Sequence, residues 1–445
     1  MFIIRQICPK LDNSALTWGY LAALLLHCAV PLFIGSMRAG SRKWGQQMKL
    51  VVLGLGQCGG RIADEFARLN KRAESRRGVK IITGAYAVNS DEADLSGLET
   101  IPSDYQHRIL MGGRKTIGHG VGKISSLAAE VTKESADKII DALRVTPRFY
   151  ETDAFLLVAS GAGGTGSGGL PVLAEIIKKR YSIKPVYSLI VLPFEHEEDD
   201  EARSIVNTAT CLKSAYSVAD AVFLADNQRY VRRDGTLINN MSEINRQIVS
   251  PFYNLLCAGE ETKRKHIGAR VVDAGDIIQT LGGWTTIGYG KSSLGLWMNP
   301  LERKRNFRKK GAETHVALQA MDEALCELSV DIRPADVGSA VYVLSAPAKE
   351  MSMDAIKETG DYLKQVAPSA QIRGGDYPRE KGELSITMVL SQICDVDRVK
   401  EYYPKLKECN HVLERIEKEK AAKVRVQEMT WSDVPVLVTK GNRRH

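Results

Sequence analysis

A loop with six glycines in ten residues constrains this chain more than any other feature. It reads Ser160-Gly-Ala-Gly-Gly-Thr-Gly-Ser-Gly-Gly169, and we call it the second glycine loop. The apolar residues 154–159 before it predict a buried strand, and residues 170–179 after it predict a helix. Backbone N–H groups of such a loop, at the start of a helix, are suited to phosphate oxygens. We expect the following residues to bind phosphate: Gly161, Gly163, Gly164, Thr165, Gly166 and Ser167.

An earlier loop, the first glycine loop, joins the apolar residues 50–53 to a helical pattern over 61–72. Its expected ligand residues are Gly56, Gln57, Cys58, Gly59, Gly60 and Arg61. Gly54, Gly56 and Gly59 match GxGxxG, so a dinucleotide-dependent oxidoreductase is an alternative. Two glycine loops on separate strands favour a clamp around a triphosphate instead. The sequence contains no GxxxxGK[ST] motif, which excludes a P-loop protein.

The order of elements predicts an α/β fold with a parallel sheet. Strands are expected at 50–53, 81–88, 154–159, 186–192 and 221–225, with helices between them. Residues 241–258 predict a long central helix, and β-rich segments at 340–344 and 385–390 follow it. We therefore expect a Rossmann-like nucleotide-binding domain (48–238), a central helix (239–262), a smaller C-terminal α+β domain (263–430) and a short basic tail (431–445).

Composition narrows the partners of the chain. The net charge is +8, from 61 basic and 53 acidic residues that are interspersed. No basic run contains interleaved aromatic residues, so a nucleic-acid partner is not expected. The eight cysteines form no CxxC pair, which argues against a zinc site or a disulfide framework and fits a cytoplasmic location.

The second glycine loop resembles the GGGTG[ST]G signature of tubulins and FtsZ, with Ala162 in place of one glycine. The loop around Asn89 (87–90) and the sequence GHGVG at 118–122 resemble further phosphate loops of that family, in the family's order. Within the family the chain is most similar to the archaeal CetZ group, which shares GHGVG, TLGG (280–283) and TIGY (286–289).

This resemblance implies the tubulin/FtsZ fold, GTP with Mg²⁺ as cofactors, and an N-terminal GTPase domain. It places Asp200 on the ribose, and Asn227 and Asn245 on guanine. It also implies that Asp273 and Asp276 orient the attacking water in the nucleotide site of the next subunit. Val271 departs from the asparagine that FtsZ has at this motif. The structural alternatives are that Asn227 caps a turn, Asn245 lies on a helix surface and Asp276 caps a helix.

The resemblance further implies a cytoskeletal protein that polymerises with itself head to tail, hydrolyses GTP at the subunit interface and controls cell shape. A nucleotide-regulated scaffold with little GTPase activity is the alternative. Self-association is the expected partnership.

The N-terminal extension (1–47) contains 23 uncharged residues at 15–37, long enough to span a bilayer. A membrane anchor and a cleaved signal peptide are two interpretations; the signal peptide is disfavoured because GTP is absent outside the cell. We favour a translation start at Met48, since the first predicted strand follows it directly. Membrane association is retained as the alternative.

Overall fold

A computed structural model describes residues 47–231, 237–259, 268–292, 306–348, 351–379 and 383–409. The uncharged run at 15–37 and the basic tail lie outside the described residues. The described residues form one compact unit. Among the described residues, no helix combines the length and the apolar character needed to cross a membrane.

Ten strands form one continuous sheet in the order β3-β2-β1-β4-β5-β6-β7-β10-β8-β9. The strands are β1 (Leu50–Leu55), β2 (Ile82–Asn89), β3 (Arg108–Leu110), β4 (Ala154–Ser160), β5 (Val186–Leu192), β6 (Ala221–Asp226), β7 (Gly283–Ser292), β8 (Val337–Pro347), β9 (Gln371–Arg379) and β10 (Leu384–Ile393). Strands β1 to β7 pair in parallel, and β10 is antiparallel to both of its neighbours. The parallel half is that of the expected Rossmann-like domain.

Helices cover both faces of the sheet. They are α1 (Gly56–Arg77), α2 (Glu92–Ser96), α3 (Gly113–Thr116), α4 (Ser125–Glu134), α5 (Ala136–Arg144), α6 (Thr165–Arg180), α7 (Glu195–Asp200), α8 (Ala202–Val218), α9 (Leu237–Val249), α10 (Phe252–Leu256), α11 (Ala274–Thr280), α12 (Asn306–Cys326), α13 (Met353–Val366) and α14 (Asp397–Lys400). Residues 402–409 are also helical.

Two apolar cores lie on the two faces. One contains side chains of α4, α5, α6, α8, α12 and α13, and the other contains side chains of α1, α9, α10 and α11. β1 and β5 are buried at every residue, which explains why they read as continuous apolar runs.

The expected long central helix is interrupted. α9 ends at Val249, and α10 begins at Phe252 after Pro251. Proline has no N–H to donate and its ring clashes with the carbonyl one turn earlier, so it disfavours a helix interior. The smaller sheet expected for the C-terminal domain is likewise not separate. β7 begins beside Ala221 of β6 and extends the parallel sheet into the C-terminal half.

Candidate functional site

A cavity of about 310 Å³ opens at the carboxyl edge of the parallel strands. Residues at or just after the ends of β1, β2, β4, β5 and β6 contribute to its wall. Open α/β sheets bind ligands at this edge. The lining residues are Leu55, Gly56, Gln57, Cys58, Asn89, Asp91, Asp94, Gly120, Lys123, Ser160, Ala162, Gly163, Gly164, Thr165, Gly166, Glu197, Asn227 and Met241.

The two glycine loops meet beneath this cavity. Gly56 has φ +72°, in the left-handed region that disfavours other residues, and a Cβ there would lie 3.1 Å from the amide nitrogen of Gly166. α6 begins at Thr165 and runs for 16 residues, so the unpaired N–H groups of its first turn lie at the cavity. The arrangement can hold an anion by backbone donors.

Hydroxyl groups order the second glycine loop. The Thr165 hydroxyl lies 2.8 Å from the Ser90 hydroxyl, which joins the loop to the end of β2. The Ser167 hydroxyl donates to the carbonyls of Gly163 and Gly164, so it is committed to the loop's own backbone. Thr165 therefore lines the cavity, whereas Ser167 shapes the loop.

The buried side chain of Asn207, on α8, connects two loops of the cavity. Its amide nitrogen lies 3.1 Å from the Lys123 carbonyl, and 3.2 Å from the carbonyls of both Ala162 and Gly163. Gly164 allows the second glycine loop to approach Lys123 closely, because a Cβ at Gly164 would lie 2.7 Å from the Cα of Lys123. The loop at 118–123 is thus held against the second glycine loop.

Carboxylates line the wall beside the first glycine loop. Asp94 accepts hydrogen bonds from the Gln57 amide (2.8 Å) and the Asn89 amide (3.0 Å). Asp91 caps α2, its Oδ1 accepting from the backbone N–H groups of Ala93 and Asp94. The Oδ2 of Asp91 faces Gly120.

These carboxylates fit the Mg²⁺ that the resemblance implies. Mg²⁺ in nucleotide sites is held by one or two carboxylates together with phosphate oxygens and water. Asp91 and Asp94 both line the cavity and offer hard oxygen donors. No cluster of three or more ligating side chains occurs within the described ranges.

One exposed cation, Lys123, belongs to the cavity wall. Its ammonium lies 2.5 Å from Glu201 in an ion pair whose two side chains are both more than a third exposed. Elsewhere in the lining, burial of the thiol raises the pKa of Cys58 to about 12, and the Glu197 carboxylate acts in the same direction. Cys58 is therefore a neutral thiol at physiological pH.

Seven of the expected ligand residues are not on the cavity wall. Gly59 and Gly60 are buried in α1, where Gly59 lies against the Val158 carbonyl. Arg61 is exposed on the same helix. The other four are Gly161 (packed on Thr208), Ser167, Asp200 and Asn245.

The acidic run 195–201 forms a short helix, α7, rather than the loop its charge would favour. Glu197 lies on the cavity wall, while Asp200 is an exposed residue one turn further along the helix. Asn227 follows β6 directly and is on the wall. Asn245 is buried on α9, four residues after the wall residue Met241, and therefore on the same helix face.

Asp273 and Asp276 lie away from this cavity. Asp273 is the N-cap of α11, and the two side chains form a reciprocal capping box. α11 leads directly into β7, whose first residue pairs with the first residue of β6. The acids therefore precede the amino edge of the parallel strands, opposite the carboxyl edge where the cavity opens.

Sequence reasoning did not select Asp91, Asp94, Lys123, Glu197 or Asn207. Asp91 and Asp94 do carry a local signal, since they follow the expected phosphate loop at 87–90. Lys123 likewise follows the GHGVG segment. Asn207 sits in an unremarkable helix, so only the tertiary structure reveals its contacts.

Comparison with known proteins follows the same division of the chain. Residues 49–233 match the Tubulin/FtsZ family GTPase domain, and residues 234–408 match the Tubulin-like CetZ C-terminal domain. Tubulin-like protein CetZ1 of Haloferax volcanii is 33% identical over 368 residues, covering 80% of this chain and 90% of that protein.

Solved structures are similar over the same extent. The GDP-bound monomer of Haloferax volcanii CetZ1 has 30% sequence identity and a TM-score of 0.68, and the GTPγS-bound protofilament of CetZ2 from that organism has 28% identity and a TM-score of 0.70. Each covers 82% of this chain and is itself covered completely. The chain therefore belongs to the tubulin/FtsZ family of GTPases, in its CetZ group of tubulin-like proteins.

Proposed function

We propose that this protein binds GTP with Mg²⁺ in the cavity and assembles head to tail with copies of itself. GTP is hydrolysed where two copies meet, and the filament acts in the control of cell shape, in the cytoplasm where GTP is available. Membership of the tubulin/FtsZ family leaves the dinucleotide-dependent oxidoreductase without support.

The separation of cavity and acids carries this proposal. Asp273 and Asp276 precede the amino edge of the sheet, and the cavity opens at the carboxyl edge. One copy cannot bring them together, whereas a second copy stacked in the same orientation can. Such a contact joins two different surfaces and does not close on itself, so repetition builds a filament. The CetZ2 structure of Haloferax volcanii is a protofilament bound to GTPγS.

We assign the phosphates to the wall residues of the glycine loops and to Asn89. These are Gly56, Gln57, Cys58, Gly163, Gly164, Thr165 and Gly166. Gly59, Gly60, Arg61, Gly161 and Ser167 act indirectly, by shaping or flanking those loops. At the other end of the cavity Asn227 and Asn245 take guanine, since an amide supplies both a donor and an acceptor. We assign the ribose to Glu197 in place of Asp200, because Glu197 lies on the wall.

The bound metal would neutralise phosphate charge, and Asp91 and Asp94 are the residues that would hold it. The protein's own contribution is to position the phosphates on backbone donors. Asp273 and Asp276 of the adjoining copy would orient the attacking water. Arg373 on β9 lies 3.4 Å from Asp276 and also contacts Gln279, so it fixes that carboxylate on α11.

The test is GTP hydrolysis by the purified full-length protein with Mg²⁺ over a range of protein concentrations. We expect the rate per molecule to rise above a threshold concentration, since complete sites exist only between copies. A constant low rate per molecule would contradict the shared site. Assembly in GTP without phosphate release would instead favour the scaffold alternative, which the exposed Val271 at the asparagine position also favours.

Complementation sharpens the test. Asp276→Ala keeps the cavity intact, and Gly164→Val blocks the cavity while it keeps the acids. Each variant alone is expected to lose most hydrolysis, and an equal mixture is expected to regain part of it at mixed contacts. Asp354→Ala, at an exposed acid on α13, is the matched control and should behave like the unaltered protein. A mixture no more active than its components would rule out a site shared between copies.

A further inference from the structure

A cluster of buried charges lies behind the wall that carries Glu197 and Asn227. We call it the Glu198 cluster: Glu198, Asp226, Arg398, Tyr402 and Lys405. The Arg398 guanidinium lies 2.5 Å from Glu198 and 3.5 Å from Asp226. Tyr402 donates to Glu198 at 2.5 Å, and Lys405 lies 2.7 Å from the other carboxylate oxygen.

The carboxylates and the guanidinium of this cluster are removed from solvent, whereas Lys405 is partly exposed. The side chain of Glu198 is 2% exposed and that of Arg398 is 11% exposed. Burial opposes the charged form of Glu198, but the hydrogen bonds from Lys405 and Tyr402 and the charge of Arg398 lower its pKa overall. The carboxylate is therefore ionised and fully engaged. Loss of a partner would leave an uncompensated buried charge, so the cluster fixes the position of the elements it joins.

Those elements are the two that form the nucleoside end of the cavity. Glu198 is the neighbour of Glu197 on α7, which follows β5. Asp226 is the neighbour of Asn227 and accepts a hydrogen bond from the Gln228 N–H, so it fixes the turn after β6. Arg398 also donates to the Pro193 carbonyl, at the end of β5 (3.4 Å). One side chain thus contacts both wall segments at their bases.

Arg398 is distant in sequence from the wall segments that it contacts. It lies on α14, 200 residues after Glu198, and Tyr402 and Lys405 belong to the helical residues 402–409 that follow. All three fall in the part of the chain that matches the CetZ C-terminal domain. The contacts therefore connect the C-terminal part of the molecule to the wall of the nucleotide cavity.

We propose that Arg398 is a positioning residue of the nucleotide site: it holds Glu197 and Asn227 in place for the nucleoside end of a guanine nucleotide. This rests on the proposed function, since Asn227 is assigned there to guanine. Arg398 touches no nucleotide itself. Its effect is exerted through α7 and the turn after β6, whereas the Gln57 side chain is held separately, by its hydrogen bond to Asp94.

Affinity for GDP, measured by titration calorimetry with the full-length protein and Mg²⁺, tests the proposal without interference from hydrolysis. Arg398→Lys keeps the charge but loses the two-pronged contact with Glu198 and Asp226. We expect its affinity to fall about tenfold, with an unchanged circular dichroism spectrum. Arg333→Lys, at an exposed ion pair to Asp395, is the control and should bind GDP as the unaltered protein does.

A double-mutant cycle separates positioning from general loss of stability. Asn227→Ala should cost less affinity in the Arg398→Lys background than alone, because the wall is already displaced. Gln57→Ala, at a residue that contacts Asp94 and no member of the Glu198 cluster, should cost the same in both backgrounds. Tyr402→Phe, which removes one hydrogen bond to Glu198 and no charge, provides a milder variant should Arg398→Lys fail to fold. It should show a smaller loss in the same direction.

Unchanged GDP affinity in folded Arg398→Lys and Tyr402→Phe would overturn the proposal. So would a double-mutant cycle in which the affinity losses of Arg398→Lys and Asn227→Ala simply add, as those of Arg398→Lys and Gln57→Ala are expected to do. These outcomes leave hydrolysis between copies untouched. Conversely, an unaltered protein that binds GDP but does not hydrolyse GTP overturns the proposed function and leaves the positioning role standing. An unaltered protein that binds no GDP overturns both.

Discussion

Single side chains divide the cavity wall into neutral and acidic parts. The glycine loops offer backbone donors that suit phosphate, while Asp91 and Asp94 place carboxylates beside them. Carboxylates next to phosphates repel them unless a cation lies between the two. Asp91 caps α2 and Asp94 accepts from the Gln57 and Asn89 amides, and both carboxylates could also hold the metal that we propose to accompany the nucleotide.

Asp91→Asn tests the metal at residue scale. Asparagine retains the oxygen that caps α2 but loses the negative charge, so the fold is expected to persist. We expect the Mg²⁺ concentration for half-maximal GTP hydrolysis to rise by about tenfold, as weakening a metal site commonly does. Glu92→Gln, at the exposed neighbouring residue, should leave that concentration unchanged. An equal Mg²⁺ requirement in Asp91→Asn would assign the metal elsewhere.

The residues that sequence reasoning identified are those with a local pattern. The glycine loops are evident from composition, and seven of their expected ligand residues lie on the cavity wall. Glu197 could not be separated from Asp200, because an acidic run gives no indication of which carboxylate faces inward. Arg398 carries no local sequence signal, since its partners lie up to 205 residues away along the chain.

Strands and helices can be predicted from the sequence where their side chains are buried on both faces or at a regular spacing. β1, β4, β5 and β6 are apolar runs and were placed within a residue or two. β9 (Gln371–Arg379) was missed, because its sequence QIRGGDYPR has two glycines and few β-formers. Its parallel pairing with β8, over nine residues, stabilises it instead. The break in the central helix has a local cause in the sequence, since Pro251 disfavours a helix interior.

At the scale of elements, Asn207 connects α8 by hydrogen bonds to the loop at 118–123 and to the second glycine loop. Asn207→Ala removes a donor from the buried carbonyl of Ala162 and from the partly buried carbonyls of Lys123 and Gly163. We expect the free energy of unfolding to fall by about 1–3 kcal/mol, measured by urea denaturation. GTP affinity should fall as well, because both loops line the cavity. Ser217→Ala, at an exposed residue of the same helix, should change stability by less than about 0.5 kcal/mol. Unchanged GTP affinity in Asn207→Ala would show that the two loops keep their positions without the hydrogen bonds of Asn207.

The whole molecule combines two family matches in one sheet. The boundary between the matches lies at residues 233 and 234, yet β6 and β7 pair across it. Each apolar core also draws on both halves: Leu170 and Met321 share one, and Phe66 and Val341 share the other. Neither half buries its own core completely without the other.

This shared core predicts cooperative unfolding. In urea, we expect circular dichroism and tryptophan fluorescence, to which Trp284 of β7 contributes, to report the same midpoint. Two well-separated transitions would mean that the halves fold independently in spite of the continuous sheet. Added GDP should raise the single midpoint, because a ligand that binds only the folded state stabilises it.

The placement of cavity and acids at opposite edges also has an arithmetic consequence. In the filament that we propose, a row of n copies contains n − 1 junctions, so one nucleotide in every row, at the terminal copy with an uncovered cavity, would lack the acids that complete its site. That end keeps its triphosphate however old the row becomes, and the other end presents acids with nothing to act on. The rates at which copies are added and lost should consequently differ between the two ends of the filament. Breakage exposes a new cavity end, and that end holds GTP only after its bound nucleotide has been exchanged. The placement of the cavity and the acids at opposite edges of one copy would thus give the filament two different ends. The GTP-bound end would mark where copies were last added.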